Sequence, residues 1–382
     1  MKIATTLLVF CVAALAALGL VMITSACIGI DNTKYIESTK FLRNQAFWLA
    51  VGVAVCGLIA LPDYRWLGRF AWVIYGGAIL LLALVFVPGF APEIKGARRW
   101  IFIGGQSLQP SEFAKLALII ALARYGELNQ LHMRSFWRGV VAPGALVLVM
   151  LGLIFPEPDW GTTVLLASVS GVMLMVAGLR PVYFWPAVVG GFGALVVGIM
   201  HNSVRSTRVL AWLNPELYKD DKGYQAYQSL IALGSGGVTG LGLGEGRTKM
   251  GFIPEQHTDF IYSVIGEEMG LIATLAVLAA FVIILVCGVV IAWNSRDTFG
   301  LLLATGCTFL LGLQAFINIG VVTGTLPNKG LALPFLSYGG SNLLAMSATV
   351  GILLNVARHS RATRGEGSFR GNDLNPFAEA TA

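Results

Sequence analysis

Residues 260–293 read FIYSVIGEEMGLIATLAVLAAFVIILVCGVVIAW, and no charged residue follows Glu268 within this stretch. A membrane span needs about 20 predominantly apolar residues, so the stretch is long enough to cross a bilayer and to tilt within it. The chain therefore contains at least one segment that is expected to lie in a lipid bilayer. Similar hydrophobic segments recur on both sides of it, at 7–28, 46–61, 70–87, 113–125, 140–155, 162–179, 182–200, 301–323 and 333–356.

The composition agrees with this pattern. Of the 382 residues, 56% are hydrophobic and only 12% are charged, whereas soluble domains carry roughly 25% charged residues. So little charge cannot cover the apolar surface in water, which excludes an ordinary soluble enzyme. The first segment is longer than a typical signal peptide core, so an uncleaved span is favoured there. We expect an all-α polytopic membrane protein with about ten transmembrane helices.

The order of the segments predicts one membrane domain over residues 1–357 and a polar, disordered tail over 358–382. The largest connection, residues 201–258, is expected to be an exterior loop between the seventh and eighth helices. It contains the glycine-rich run 234–246, GSGGVTGLGLGEG. That run lacks G-x-G-x-x-G spacing and a strand–turn–helix context, so a re-entrant or closely packed backbone is favoured over a dinucleotide site.

Arginine residues lie close to helix ends in the short turns, which predicts that those turns and both termini are cytoplasmic. Basic residues are also frequent in the longer exterior segments 31–45, 88–109 and 201–258. Topology does not require this exterior charge. It indicates a surface that binds an anionic ligand, such as a phosphate-bearing lipid, although ordinary solvated loop charge is the simpler alternative.

Several ionisable residues lie at or near membrane depth, where they are costly and are usually functional or paired. Glu112 and Lys115 are three residues apart on the fourth helix, so they share a face. They form either a structural ion pair or, for Lys115, a contact to a substrate phosphate. Glu267 lies in the eighth helix, eight residues after Asp259 and on a similar face.

Asp259 is the most suggestive carboxylate, because it stands where the large exterior loop enters the eighth helix. It is either a helix cap or a functional acid, and Thr258 is an equally good cap. Asp159 begins another helix, where capping is favoured. His257 is an acid–base candidate or a hydrogen-bonding bystander, and no His/Cys/carboxylate set has zinc spacing.

Six motifs carry a resemblance to a known family. They are GARRW at 96–100, QPSEFAK at 109–115, PDWGT at 158–162, GYQ at 223–225, EQHTDF at 255–260, and the run 320–341 containing PNKG and PFLSYGGS. In this order they resemble the SEDS family of bacterial envelope proteins, nearly from end to end. Within that family, the pair Lys329-Gly330 is closer to the division branch than to the elongation branch.

The resemblance implies a peptidoglycan glycosyltransferase that polymerises lipid II outside the cytoplasmic (inner) membrane, at the division septum. Asp259 matches the proposed catalytic aspartate of the family, and Glu112, Asp159 and Glu267 are expected to support the site. The implied partners are lipid II, the growing glycan strand, membrane lipid, a class B penicillin-binding protein and other divisome membrane proteins, with no nucleic acid. The expected substrate contacts are Arg98, Arg99, Lys115, Arg247, Lys249, His257, Lys329 and Ser337.

This chemistry suits a single carboxylate. The acceptor hydroxyl is a poor nucleophile that needs a general base, whereas the departing diphosphate needs cations rather than a proton. A divalent ion, Mg or Mn, could share the task of neutralising the diphosphate, and the sequence contains no dedicated cage for it. Two alternatives stay open: a lipid II flippase, although no convincing internal repeat is present, and a non-catalytic scaffold that does not need Asp259.

Overall fold

The structure is a computed structural model. It describes residues 1–27, 32–94, 97–104, 106–157, 159–201, 203–218, 223–246 and 258–366. Across these residues the chain is helical apart from its connections and one short hairpin. The helices are α1 (Lys2–Cys27), α2 (Asn32–Ala60), α3 (Arg65–Arg69), α4 (Ala71–Val85), α5 (Pro110–Leu128), α6 (Ala142–Ile154), α7 (Trp160–Val176), α8 (Pro181–Met200), α9 (Ser203–Leu213), α10 (Tyr224–Ser235), α11 (Ile261–Trp293), α12 (Thr298–Val322) and α13 (Gly340–Glu366), and the hairpin pairs β1 (Ile101–Ile103) with β2 (Gln106–Leu108) in antiparallel register.

The predicted all-α polytopic class is confirmed. Seven helices in the described part of the chain are long and apolar enough to cross a membrane, namely α1, α2, α6 with the π-turn before it, α8, α11, α12 and α13. Two shorter apolar helices, α4 and α7, accompany them. Each of the ten predicted hydrophobic segments overlaps a helix, and the exact number of crossings stays a prediction.

The centre of the bundle is α12, which packs against α5, α7, α11 and α13. Small residues on α12 and on the facing side of α11 allow this close approach, as is common where helices associate in lipid. A Cβ at Gly306 would lie 2.6 Å from a methyl carbon of Ile119 on α5, and one at Gly288 would lie 2.2 Å from the Thr308 hydroxyl. By contrast, none of the described side chains of α8 is buried.

Helix α11 is not continuous. Gly270 has φ 74° and ψ −171°, far from helical values. This backbone separates the N–H groups of Leu271 and Ile272 from the carbonyls of Glu267 and Glu268, which would be their partners in a continuous helix. Four backbone groups deep in an apolar bundle therefore need other partners, because an unsatisfied group there costs several kcal/mol.

Residues 236–246, which we call the glycine clasp, supply those partners. The clasp inserts against the kink, and two of its N–H groups and two of its carbonyls replace the interrupted helical bonds. The close packing predicted for the glycine-rich run is confirmed. The four bonds run from Leu241 N to Glu267 O (3.0 Å), Gly242 N to Glu268 O (3.0 Å), Leu271 N to Gly237 O (3.0 Å) and Ile272 N to Val238 O (3.3 Å).

Two side-chain contacts reinforce the clasp. The Glu268 carboxylate accepts a hydrogen bond from the backbone N–H of Gly244 at 3.1 Å and another from the Ser25 hydroxyl of α1 at 2.6 Å. A Cβ at Gly246 would lie 3.0 Å from the Glu267 carboxylate, which is itself buried. The clasp therefore links α1, the end of α10 and both halves of α11.

Three details differ from the sequence prediction. The connection 201–258, predicted to be an exterior loop, contains α9 and α10, which are short and amphipathic and so lack the long apolar run of a span. The last predicted segment, 333–356, begins as a loop, because Pro334 and the left-handed Phe335 (φ 66°) precede the start of α13 at Gly340. Helix α13 then continues to Glu366, so the tail expected from 358 is helical at its beginning, and residues 367–382 lie outside the described part.

We expect Gly240→Ala to destabilise the protein more than Gly89→Ala. Both glycines have positive φ, +84° and +94°, so both substitutions should cost about 1–2 kcal/mol in backbone strain. Only at Gly240 would the new Cβ lie 2.2 Å from the Glu268 carbonyl oxygen, whereas at Gly89 it meets nothing within 4 Å. The overlap should add about 1–3 kcal/mol. Thermal unfolding in detergent measures the difference, and equal losses would contradict the role of the clasp.

Candidate functional site

Asp259 lies just before the first residue of α11. The N-cap of this helix is Phe260, and no side chain caps it; the Ser263 hydroxyl donates back to the Phe260 carbonyl at 2.7 Å. Neither Asp259 nor Thr258 therefore occupies the capping position that the sequence left open for them. The carboxylate stands before the helix rather than at its first turn.

The Asp259 carboxylate faces the loop that joins α12 to α13. A Cβ built on Gly330 would lie 2.4 Å from Asp259 Oδ2, closer than real Cβ contacts. Only glycine at position 330 leaves room for the carboxylate where it now is. Lys329 precedes this glycine, so the Lys-Gly pair of the sequence motif lies beside the candidate base.

Two amide side chains on α12 hold this arrangement. Asn318 Nδ2 donates to the backbone carbonyls of Asp259 at 2.8 Å and of Leu331 at 2.6 Å. One turn earlier, Gln314 Nε2 donates to the Ala332 carbonyl at 2.9 Å. One face of α12 thereby ties the mouth of α11 to the α12–α13 loop.

Lys115 is fully buried beneath this loop. Its Nζ lies 2.8 Å from Glu112 Oε2 and donates to Gln314 Oε1 at 2.8 Å. Glu112 also accepts from Asn342 Nδ2 on α13 at 2.9 Å. The network joins α5, α12 and α13. Of the two interpretations of Lys115, it supports the structural ion pair. A phosphate contact of Lys115 stays a prediction.

Ser337 belongs to a turn within the α12–α13 loop. Its hydroxyl accepts from the backbone N–H of Leu333 at 2.8 Å, and its carbonyl accepts from Gln45 Nε2 at 3.3 Å. The side chain is buried. These bonds shape the loop, and a substrate contact of Ser337 stays a prediction.

The start of α7 lies against the same loop. A Cβ at Gly161 would lie 2.8 Å from Leu331 Cγ, one residue after the glycine that faces Asp259. Asp159 is the N-cap of α7, accepting from the backbone N–H of Thr162 at 3.1 Å and from its hydroxyl at 2.8 Å. The N-terminal ends of α7 and α11 therefore converge on Gly330 and Leu331.

The two arginines of the GARRW motif differ in their surroundings. Arg98 is exposed and lies 3.8 Å from the Glu93 carboxylate. Arg99 is half-buried, and its Nε donates to the backbone carbonyl of Glu157, in the turn that precedes α7. Burial, reinforced by Asp159 and opposed by Arg99, raises the pKa of the Glu157 carboxyl to about 8.

Of the predicted substrate contacts, Arg247, Lys249 and His257 lie outside the described residues. Gln314, Asn318, Gly330 and Glu157 were not predicted. The spacing of four between Gln314 and Asn318 in an otherwise apolar helix was a usable signal, because buried amides need partners. Among the described residues no group of three or more His, Cys, Asp or Glu side chains could hold a metal ion, so a Mg or Mn ion stays a prediction.

Comparison with known proteins decides the family. The family model described as "Cell cycle protein", which represents FtsW, RodA and SpoVE, matches residues 5–362. This chain belongs to that family. The resemblance to SEDS proteins is thereby confirmed.

Individual relatives of this family are similar over nearly their whole length. A protein of Geobacter metallireducens named "Probable peptidoglycan glycosyltransferase FtsW" is 43% identical over 92% of this chain and 93% of its own. Stage V sporulation protein E of Bacillus subtilis is 38% identical over 93% of this chain and 97% of its own.

Solved structures of the family share the fold. A chain from a peptidoglycan synthase complex, described as coordinating polymerization and crosslinking, superposes with a TM-score of 0.76 at 31% identity, over 92% of this chain and 97% of the other. The rod shape determining protein RodA of Thermus thermophilus gives a TM-score of 0.69 at 30% identity, over 92% and 96%. The polytopic architecture is therefore common to the family.

The buried pair Glu112–Lys115 should be much more costly to break than to replace. We expect Lys115→Met to destabilise the protein by about 3–5 kcal/mol, because it leaves a buried carboxylate without its cation, and the double variant Glu112→Gln/Lys115→Met to recover most of that loss. The matched control is Arg124 with Glu127, an ion pair of the same spacing on the same helix with both side chains about a third exposed. Its double-mutant cycle should give about 0.2–1 kcal/mol. Equal coupling in the two cycles, measured by thermal unfolding in detergent, would contradict this.

Proposed function

We propose that this chain is a peptidoglycan glycosyltransferase that polymerises lipid II into glycan strands during cell division, with Asp259 as the general base. The observation that carries the proposal is the position of Asp259. Its carboxylate stands before the N-cap residue of α11, and the glycine at 330 makes room for it. The names of the relatives support the activity.

The reaction fits a site with one carboxylate. The 4-hydroxyl of the acceptor sugar attacks the anomeric carbon of a donor sugar, and Asp259 accepts the hydroxyl proton. The bond from the anomeric carbon to the lipid diphosphate breaks, and the diphosphate leaves as an anion without needing a proton. Direct attack inverts the configuration at the anomeric carbon.

Cations are needed where the diphosphate charge develops. We assign this role to basic residues of the exterior segments and of the α12–α13 loop. A Mg or Mn ion bound to the diphosphate would add Lewis-acid stabilisation of the same charge. The proposed residues are Arg98, Arg99, Arg247, Lys249 and Lys329.

The flippase and scaffold functions are not favoured. A scaffold would not need a carboxylate placed against a glycine at a helix mouth, and a transporter is expected to show internal repeats, of which the sequence contains no convincing one. The relatives carry the name of a glycosyltransferase, and one similar structure comes from a synthase complex. The scaffold alternative predicts that a variant without the Asp259 charge keeps full function.

The partner follows from the same comparison. Since a similar chain is part of a complex that couples polymerization to crosslinking, we propose a class B penicillin-binding protein as the crosslinking partner, with other divisome membrane proteins around it. The site would then face outward from the cytoplasmic membrane at the septum, with both termini in the cytoplasm.

We expect Asp259→Asn to abolish polymerisation while the protein stays folded and inserted, because the amide cannot accept the proton. The assay is glycan-strand formation from purified lipid II, with and without the partner transpeptidase. Glu216→Gln, which removes an exposed carboxylate from the same exterior connection, is the control and should retain activity. Full polymerase activity of the purified Asp259→Asn protein would overturn the assignment.

A second variant tests the geometry without touching the carboxylate. Gly330→Ala places a methyl group 2.4 Å from the present position of Asp259 Oδ2, so the carboxylate must move, and misplacement of about 1 Å can lower the rate roughly 10²-fold. Gly339→Ala, in the same loop, meets no atom closer than 3.8 Å and is the matched control. Equal turnover by the two variants in the lipid II assay would argue against Asp259 as the base.

A further inference from the structure

The turn between α6 and α7 contains a carboxyl group that the proposed reaction does not use. Glu157 is 1% exposed, and neither of its carboxyl oxygens has a hydrogen-bond partner among the described residues. Burying an ionised carboxylate without a partner is very unfavourable, so burial favours the neutral acid. A neutral glutamic acid at the outer end of the bundle is unusual enough to need an explanation.

Two charged groups of the described chain act on Glu157. Asp159, at the start of α7, has both carboxylate oxygens engaged with Thr162. Arg99, from the exterior segment before the hairpin, donates its Nε to the backbone carbonyl of Glu157 and not to its carboxyl group. No hydrogen bond or ion pair involves the terminal guanidinium nitrogens of Arg99 within the described residues. Its planar outer edge has the geometry that binds a phosphate in bidentate fashion.

We propose that Glu157 is a positioning residue for Arg99. While the side chain of Glu157 is a neutral acid, its backbone carbonyl orients the guanidinium, and the outer edge of the guanidinium is left to an anionic diphosphate. The ionised carboxylate competes for that edge. The inference rests on the proposed function, which supplies the lipid diphosphate as substrate. It adds a proton-dependent control of the anion site at the start of α7.

The direction of the pH dependence follows from the burial. The pKa of Glu157 is raised from 4.5 to about 8, first by burial and then by Asp159, while Arg99 lowers it. Glu157 is therefore neutral below about pH 8 and ionises above it. Diphosphate binding should weaken as the pH rises through that value. The free energy of unfolding also falls as the pH rises from 4.5 to about 8. In this range Glu157 has already lost its proton in the unfolded chain but still holds it in the folded state.

The test is the binding of inorganic pyrophosphate to the full-length protein in detergent, by calorimetry between pH 6.5 and 9. We expect the affinity of the wild type to fall about tenfold over this range, as expected for loss of a charge-assisted bond. In Glu157→Gln, the ratio of variant to wild-type affinity should rise with pH. Glu93→Gln, which removes the exposed carboxylate near Arg98, is the control and should give a constant ratio.

A second background shows whether Glu157 acts through Arg99. In Arg99→Gln, adding Glu157→Gln should no longer change the pH dependence of pyrophosphate binding. A residual effect of the same size would overturn the positioning role, and so would a Glu157→Gln profile that follows the wild type. Thermal unfolding gives an independent readout, since Glu157→Gln should gain more stability over the wild type at pH 8 than at pH 5.

These outcomes are separable from those for the proposed function. Pyrophosphate binding requires no turnover, so Asp259→Asn should keep the wild-type pH dependence of binding while it lacks polymerisation. If the wild type fails to polymerise lipid II but shows the Glu157-dependent binding, the proposed function fails and the inference stands. If the wild type polymerises lipid II but binds no pyrophosphate at any pH, the inference fails alone.

Discussion

A backbone N–H or carbonyl in an apolar bundle has no water to bind, so each interruption of a helix must be repaired by another part of the chain. The structure depends on this constraint at the kink of α11. Gly270 breaks the helix, and the glycine clasp restores the four bonds that the break removes. The direction of the first turns of α11, and with it the position of Asp259, follows from where the clasp docks.

The same constraint shapes the α12–α13 loop. This loop enters the bundle without regular secondary structure, so its carbonyls need donors, and the amides of Gln314 and Asn318 provide them. Asn318 also bonds the carbonyl of Asp259. Asn318 thus both provides a hydrogen-bond donor to a loop carbonyl and holds the backbone of the candidate base. A change that removes this donor would affect both the stability of the bundle and the geometry of the site.

Hydropathy alone predicted the helical class and the ten segments, because burial in lipid demands long apolar runs. It did not reveal that Leu333 to Gly339 form a loop, since these residues are apolar but their backbone is turned by Pro334 and Phe335. The capping question at Asp259 also could not be decided from sequence, because helix starts shift by one residue without a change in pattern. Asn318 and Glu157 were missed because their roles come from partners far away in the chain.

The clasp has one more consequence. Its bonds pair residues 241 and 242 with 267 and 268, so the stretch between them, which includes Asp259, is a closed ring of backbone rather than a long open connection. Its two ends meet at neighbouring points on one helix. A displacement of Leu241 or Gly242 is therefore passed through these bonds to Glu267 and Glu268, and so to the half of α11 that begins beside Asp259.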